Sequence, residues 1–191
     1  MDLSQKAQVD FGAGAQSGAR ITAGRLLRTH YKVEAFRPDK DGVLQPLWTE
    51  EFDNLVVNVG LDDSLDKHLD GSAYTAAWYV GLTDGTPTPA AADTMASHAG
   101  WVEVTDYDEA VRQTATWGAV SGQSIDNSAS KAVFTVDANN TTIGGAFLTT
   151  DSTKGGAGGT LYGVGAFTAG DKVLDDNDVL NVTVTATAAA A

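Results

Sequence analysis

Three histidines, His30, His68 and His98, are the only imidazoles among the 191 residues. They stand in unrelated contexts. None has a second histidine or an acid at a ligand-like offset, so the spacing speaks against a zinc site. Cysteine is absent, which removes thiolate ligands and disulfides together. Gly118-Ala119-Val120-Ser121-Gly122 has the composition of a nucleophile elbow, but its serine comes one place too late and it reads as a turn. Gly12-Ala13-Gly14-Ala15-Gln16-Ser17-Gly18 misses the dinucleotide fingerprint by one residue, and no strand precedes it. Two acidic clusters, Asp106/Asp108/Glu109 and Asp175/Asp176/Asp178, carry oxygens of the kind Ca²⁺ takes, without the ligand order of a helix-loop-helix site. Asp175-Asp176-Asn177-Asp178 also fits a plain β-turn. Paired carboxylates for glycoside cleavage would have to come from different strands, and no local signature pairs them. The expectation is no catalytic residue, no metal and no cofactor: a binding protein, not an enzyme.

Charge is distributed unevenly. Residues 1–40 hold seven basic side chains (Lys6, Arg20, Arg25, Arg28, Lys32, Arg37, Lys40) against four acids (Asp2, Asp10, Glu34, Asp39). That segment is +3, which leaves −16 of the total −13 on residues 41–191. Such a body repels phosphate, so neither nucleic acid nor an anionic membrane is an expected partner. No run approaches the roughly 20 apolar residues of a bilayer span, and Met1 to Ser17 lack a basic head followed by an apolar block. A soluble protein, not conventionally exported, is expected.

The elements that must position these residues are mostly strands. Hydrophobic residues are 42% of the chain and glycines number 21, which suits a β-rich domain with small side chains at tight turns. Met1 to Ala23 shows no convincing period, so residues 1–25 are expected to form a flexible basic arm and 26–191 a single β-sandwich domain. Tyr31, Val33 and Ala35 alternate with Lys32 and Glu34 up to Arg37-Pro38-Asp39. Leu47 to Thr49 and Phe52 to Val59 continue as strand candidates. Leu61, Leu65 and Leu69 are spaced for one short helix over about 61–70, with Asp62 and Asp63 in its first turn and Gly71 as its stop, its leucines lidding an open end of the sandwich. Further strands are expected at Ala77 to Leu82, Trp101 to Thr105, Val111 to Trp117 and Ala132 to Val136, with Pro87 to Gly100 as a surface loop. Ile143 to Leu148 and Leu161 to Phe167 read as a hairpin with a mobile glycine-rich tip, and Leu180, Val182, Val184 and Ala186 give the cleanest alternation. Nine or ten short strands predict an all-β two-sheet sandwich, with a jelly roll as its expected form.

With Ala77-Trp78-Tyr79-Val80-Gly81-Leu82-Thr83, Asp93-Thr94-Met95-Ala96-Ser97-His98-Ala99-Gly100-Trp101, Asn127-Ser128-Ala129-Ser130 and Ile143-Gly144-Gly145-Ala146-Phe147-Leu148, the chain resembles virion structural proteins of tailed bacteriophages over about residues 74–187. The resemblance implies a phage cement or decoration protein made in the host cytoplasm. It would sit on the capsid exterior, bridge major capsid protein subunits, and form a homo-oligomer, a dimer or a trimer. Joined to the charge asymmetry, it makes Phe11, Arg20, Ile21, Arg25, Leu26, Arg28 and Arg37 the candidate capsid-binding residues, the arginines for carboxylates and the apolar side chains for grooves. The alternative is a tail or receptor-binding protein in which Trp101, Tyr107, Trp117 and Tyr162 contact a host glycan or protein. A carbohydrate-active enzyme on the same fold is a weaker third option.

Overall fold

The computed structural model describes residues 25–74 and 77–190. In chain order the elements are β1 (Arg25–Pro38), β2 (Leu44–Asp53), β3 (Leu55–Val56), α1 (Asn58–Leu65) running into a π-helical turn (Asp66–Asp70), β4 (Tyr79–Asp84), β5 (Val102–Glu103), β6 (Gln113–Thr114), β7 (Ser124–Asp126), β8 (Ala132–Thr135), β9 (Thr141–Ile143), β10 (Gly145–Thr149), β11 (Leu161–Ala166), β12 (Lys172–Leu174) and β13 (Val179–Ala190). One antiparallel sheet has the order β2-β1-β13-β7, with β8 also paired to β13. The other has the order β3-β11-β10-β4-β5, with β6 also on β4, while β9 and β12 pair apart.

The first sheet follows from alternation. Thr29, Tyr31, Val33 and Ala35 of β1 are buried, with Lys32 and Glu34 on the other face. Strand β13 places Val184, Val182 and Leu180 opposite Tyr31, Val33 and Ala35, so apolar residues meet across the ladder. Burial of each such valine or leucine contributes about 2 kcal/mol. Phe52 of β2 stacks on Tyr31 at 5.2 Å and meets Phe167 edge-on at 5.3 Å, which links this sheet to the end of β11.

The second sheet is covered on both faces, and β10 is buried at every position. Ala146 and Leu148 join the main core with Tyr31, Val80 and Phe134. Phe147 points the other way, into a smaller cluster with Val57, Met95 and Trp101. The segment Pro87 to Gly100, expected as a surface loop, supplies part of that cover: Asp93 and Met95 are buried, and Asp93 accepts from the Trp101 indole. Gly81 lies opposite Phe147, and a Cβ there would stand 2.2 Å from its ring.

Several expectations are corrected. The Phe52 to Val59 strand breaks at Asn54, and Asn58 already opens α1. Asp62 and Asp63 therefore fall beyond the first turn, although Gly71, at φ +77°, does end the helical segment. Leu61, Leu65 and Leu69 do not lid the sandwich: they are 40%, 57% and 82% exposed, and the helix meets β11 through Gly60, where a Cβ would lie 2.4 Å from the Tyr162 carbonyl oxygen. Trp101 to Thr105 and Val111 to Trp117 shrink to the two-residue ladders β5 and β6. The all-β two-sheet sandwich is present, and its hairpins β1–β2 and β10–β11 each stay within one sheet, which does not establish the jelly-roll order. Among the described residues no helix is long and apolar enough to cross a membrane.

Replacing Gly81 by alanine is expected to destabilise the fold by about 1–3 kcal/mol, because the enclosed Phe147 ring must move. Urea unfolding measures this, and an unchanged midpoint would show that the Phe147 cluster is loose.

Candidate functional site

The predicted binding residues separate into groups. Phe11, Arg20 and Ile21 lie outside the described residues. Arg25 and Leu26 open β1, paired with Ala190 and Ala189. Arg28 follows, exposed and without an ion pair among the described residues. Arg37 is engaged within the chain. Its Nε donates to Asp178 Oδ1 at 2.7 Å and its Nη2 to Asp178 Oδ2 at 2.5 Å, and Nη2 also reaches Asp175 Oδ2 at 2.9 Å. Nε and Nη2 are thus held by this chain's own β12–β13 turn, while the side chain keeps 45% of its surface exposed. Asp178 also accepts the Asp175 N–H, so that acidic cluster is a turn organised by an arginine. Lys32 likewise pairs with Glu34, which holds Lys131 as well.

Burial pushes the Asp178 carboxyl up, but the hydrogen bonds from Arg37 and the Asp175 N–H, with the Arg37 charge, outweigh it and leave it below the usual carboxylate range. Glu50 behaves alike: burial is opposed by Lys172, Thr168 and the Ala169 N–H, and the net shift is downward. A carboxylate depressed in the folded state stabilises above its unfolded pKa, about 4, and that contribution is lost as pH falls through the folded value. Arg37→Gln is therefore expected to lower the urea midpoint at neutral pH, with a deficit that narrows as the pH is taken below that of the free carboxyl. A deficit constant down to strongly acid pH would mean that Arg37 acts through packing alone.

A second polar centre was not anticipated. Arg112, fully buried, donates through Nε and Nη2 to the two oxygens of Glu103 at 2.8 and 2.7 Å, and through Nη1 and Nη2 to the carbonyls of Asp151 and Gly156. Glu103 further accepts the Gly155 N–H, and Lys154 donates to the Tyr107 carbonyl while lying over its ring. The glycine-rich tip expected to be mobile is therefore folded back and pinned at Asp151 and at Lys154, Gly155 and Gly156. Arg112→Met would strand Glu103 in a buried site, at an expected loss of about 3–5 kcal/mol. Trypsin should then cleave after Lys154 in the variant while sparing the native chain, and equal resistance in both would refute the clamp.

Of the aromatics offered for a host contact, Trp101 and Tyr107 are core side chains. Trp117 and Tyr162 are half-buried. Together with Trp78, Thr29, Leu148 and Lys67 they line a cavity of about 250 Å³. Trp78 meets Tyr162 edge-on at 5.4 Å. An adjoining cavity of about 400 Å³ shares Ser64, His68, Ile125, Tyr162 and Ala186 and extends along β1 and β13 to Leu27 and Ala188. The root of β1 and the helical segment 58–70 thus border one groove. Among the described residues no three His, Cys, Asp or Glu side chains are grouped to hold a metal ion.

Compared with family models, curated proteins and solved structures, the chain has no match in any of the three.

Proposed function

We propose that the chain is a virion cement or decoration protein that binds the outer face of an assembled phage capsid and bridges its subunits. The observation that carries this reading is the sharing of one end of the sandwich by two features suited to a protein partner. The N-terminal segment, with Lys6 and Arg20 balanced by Asp2 and Asp10, leads into β1 at Arg25, and the row Leu61, Leu65 and Leu69 faces outward on the helix whose other residues border the same groove. The outward leucine row leaves apolar surface uncovered in the isolated protein, most of all at Leu69, and a partner surface would bury it.

The anchorage suits a tether. Strand β1 lies between β2 and β13, with register partners along nearly its whole length on one side and much of it on the other. A pull on its N-terminal end loads both ladders in shear. Binding to the assembled lattice alone then stabilises that lattice by mass action, without any chemical step. The acidic body faces away from the shell, and Arg20, Arg25 and Arg28 remain as the arginines for capsid carboxylates.

Two variants test the reading on purified particles. Removal of residues 1–23 is expected to abolish capsid binding, and undiminished binding would sink it. Leu65→Asp with Leu69→Asp should weaken particle binding while shifting folding stability by no more than about 0.5 kcal/mol, since both side chains are exposed. A copy number comparable to that of the shell subunit supports a head position, whereas a few copies per particle would place the protein in the tail.

A further inference from the structure

The helical segment is packed inside out. Gly60, Asp63, Ser64 and Lys67 recur at i, i+3, i+4 and i+7, the spacing that normally carries the apolar stripe, yet it is this polar row that faces the sandwich. Leu61, Leu65 and Leu69 occupy the solvent side. The Asp63 and Lys67 side chains are only 15% and 20% exposed, and their nearest charged atoms stand 3.9 Å apart, too far for a hydrogen bond. Both border the cavity whose far wall is Trp78, Trp117 and Tyr162. Lys67 is steadied by Ser72, and His68 is oriented by a contact between Nδ1 and the Ser64 carbonyl. The turn that delivers these two residues is π-helical, a local irregularity that recurs at functional sites.

We propose that this groove binds a neutral saccharide. The flat half-buried faces of the two tryptophans and the tyrosine suit the C–H faces of a pyranose ring. Opposite them stand a carboxylate acceptor and an ammonium donor, and hydroxyl groups both donate and accept. Each charge also excludes a competitor. Asp63 repels an anion that Lys67 would draw in, and the body's acidic charge repels polyanions. A cation would meet Lys67. A hydrocarbon would shield the Asp63–Lys67 pair from water without giving either charge a hydrogen bond. The adjoining cavity toward Leu27 and Val120 gives the groove length for more than one sugar unit.

The test uses the isolated full-length protein, so it is independent of the particle-binding reading and either can fail alone. Tryptophan emission and calorimetry are followed during titration with short neutral oligosaccharides of glucose, of galactose and of N-acetylglucosamine, with a heparin oligosaccharide and decanoate as the anionic and hydrocarbon comparisons. Saturable binding of at least one neutral oligosaccharide is expected, weakened about tenfold or more in Trp117→Ala and in Asp63→Asn. Asp63→Asn keeps the side chain's shape and guards against misfolding as the cause. The proposal is overturned if no neutral oligosaccharide binds, if binding survives both substitutions unchanged, or if heparin or decanoate binds as well as the best neutral probe.

Discussion

A buried ion pair between Arg112 and Glu103 sets the arrangement of one whole side of the sandwich. Removing two charges from water is costly in itself, and an apolar pair of equal volume is often at least as stable. What makes the pair tolerable is completeness: the guanidinium meets both carboxylate oxygens and two backbone carbonyls, while Glu103 takes an additional N–H from Gly155. These partners come from β5, from the residue before β6 and from the β10–β11 loop, three segments with little regular structure of their own. The ladders β5 and β6 contain two residues each. Backbone bonds from Val104 to the Leu82 carbonyl and from Ala115 to the Trp78 carbonyl extend their pairing, and the Arg112 guanidinium closes over Phe147 at 5.3 Å, joining the clamp to the second apolar cluster.

The other side is held by the earliest and latest of the described strands. Pairing β1 with β13 brings Arg25 beside Ala190, so the sheet's central ladder joins segments far apart in sequence. Such distant contacts make for slow folding. Where β13 changes neighbour from β8 to β7, Asn127 fills the gap: its amide accepts from the Val184 N–H and donates to the Val182 carbonyl. A polar side chain with no accessible surface thus replaces a missing stretch of ladder, and Arg37 does the corresponding work at the far end of β13 by holding the turn through Asp178.

What could be read from the sequence follows this division. Alternation was legible wherever a strand has one dry and one wet face, and β1, β8 and β13 bury the residues that their period two selects. It failed on β10, dry on both faces, only in that the run could not say which side held which neighbours. It overreached at Trp101 to Thr105 and Val111 to Trp117, where pairing with β4 is confined to a few residues and the buried Arg112–Glu103 pair joins the two segments. Glycine content suggested a mobile tip because local composition carries no trace of an arginine about forty residues upstream. Arg37 was read as available for a partner because its acids lie far along the chain. The candidate groove was the least legible feature: Trp117 and Tyr162 were singled out as contact aromatics, but Trp78, Asp63 and Lys67 were read as strand or helix residues, and only the tertiary fold brings them to one cavity.

The helix explains why. Periodicity identified an amphipathic segment correctly and then assigned its faces by the general preference for apolar burial. Gly60 reverses that assignment. With no side chain at this position the helix settles against the Tyr162 backbone, and any larger residue would collide with it. Close approach at Gly60 fixes the rotation of the helix about its axis, so Asp63, Ser64 and Lys67 must follow inward and the leucines must follow outward. A sequence whose local pattern and tertiary packing disagree in this way sacrifices stability that ordinary packing would recover, and such disagreements concentrate where a surface serves something other than folding. Here a single rotation exposes an apolar row on one side and turns a polar row toward the aromatic-lined cavity on the other.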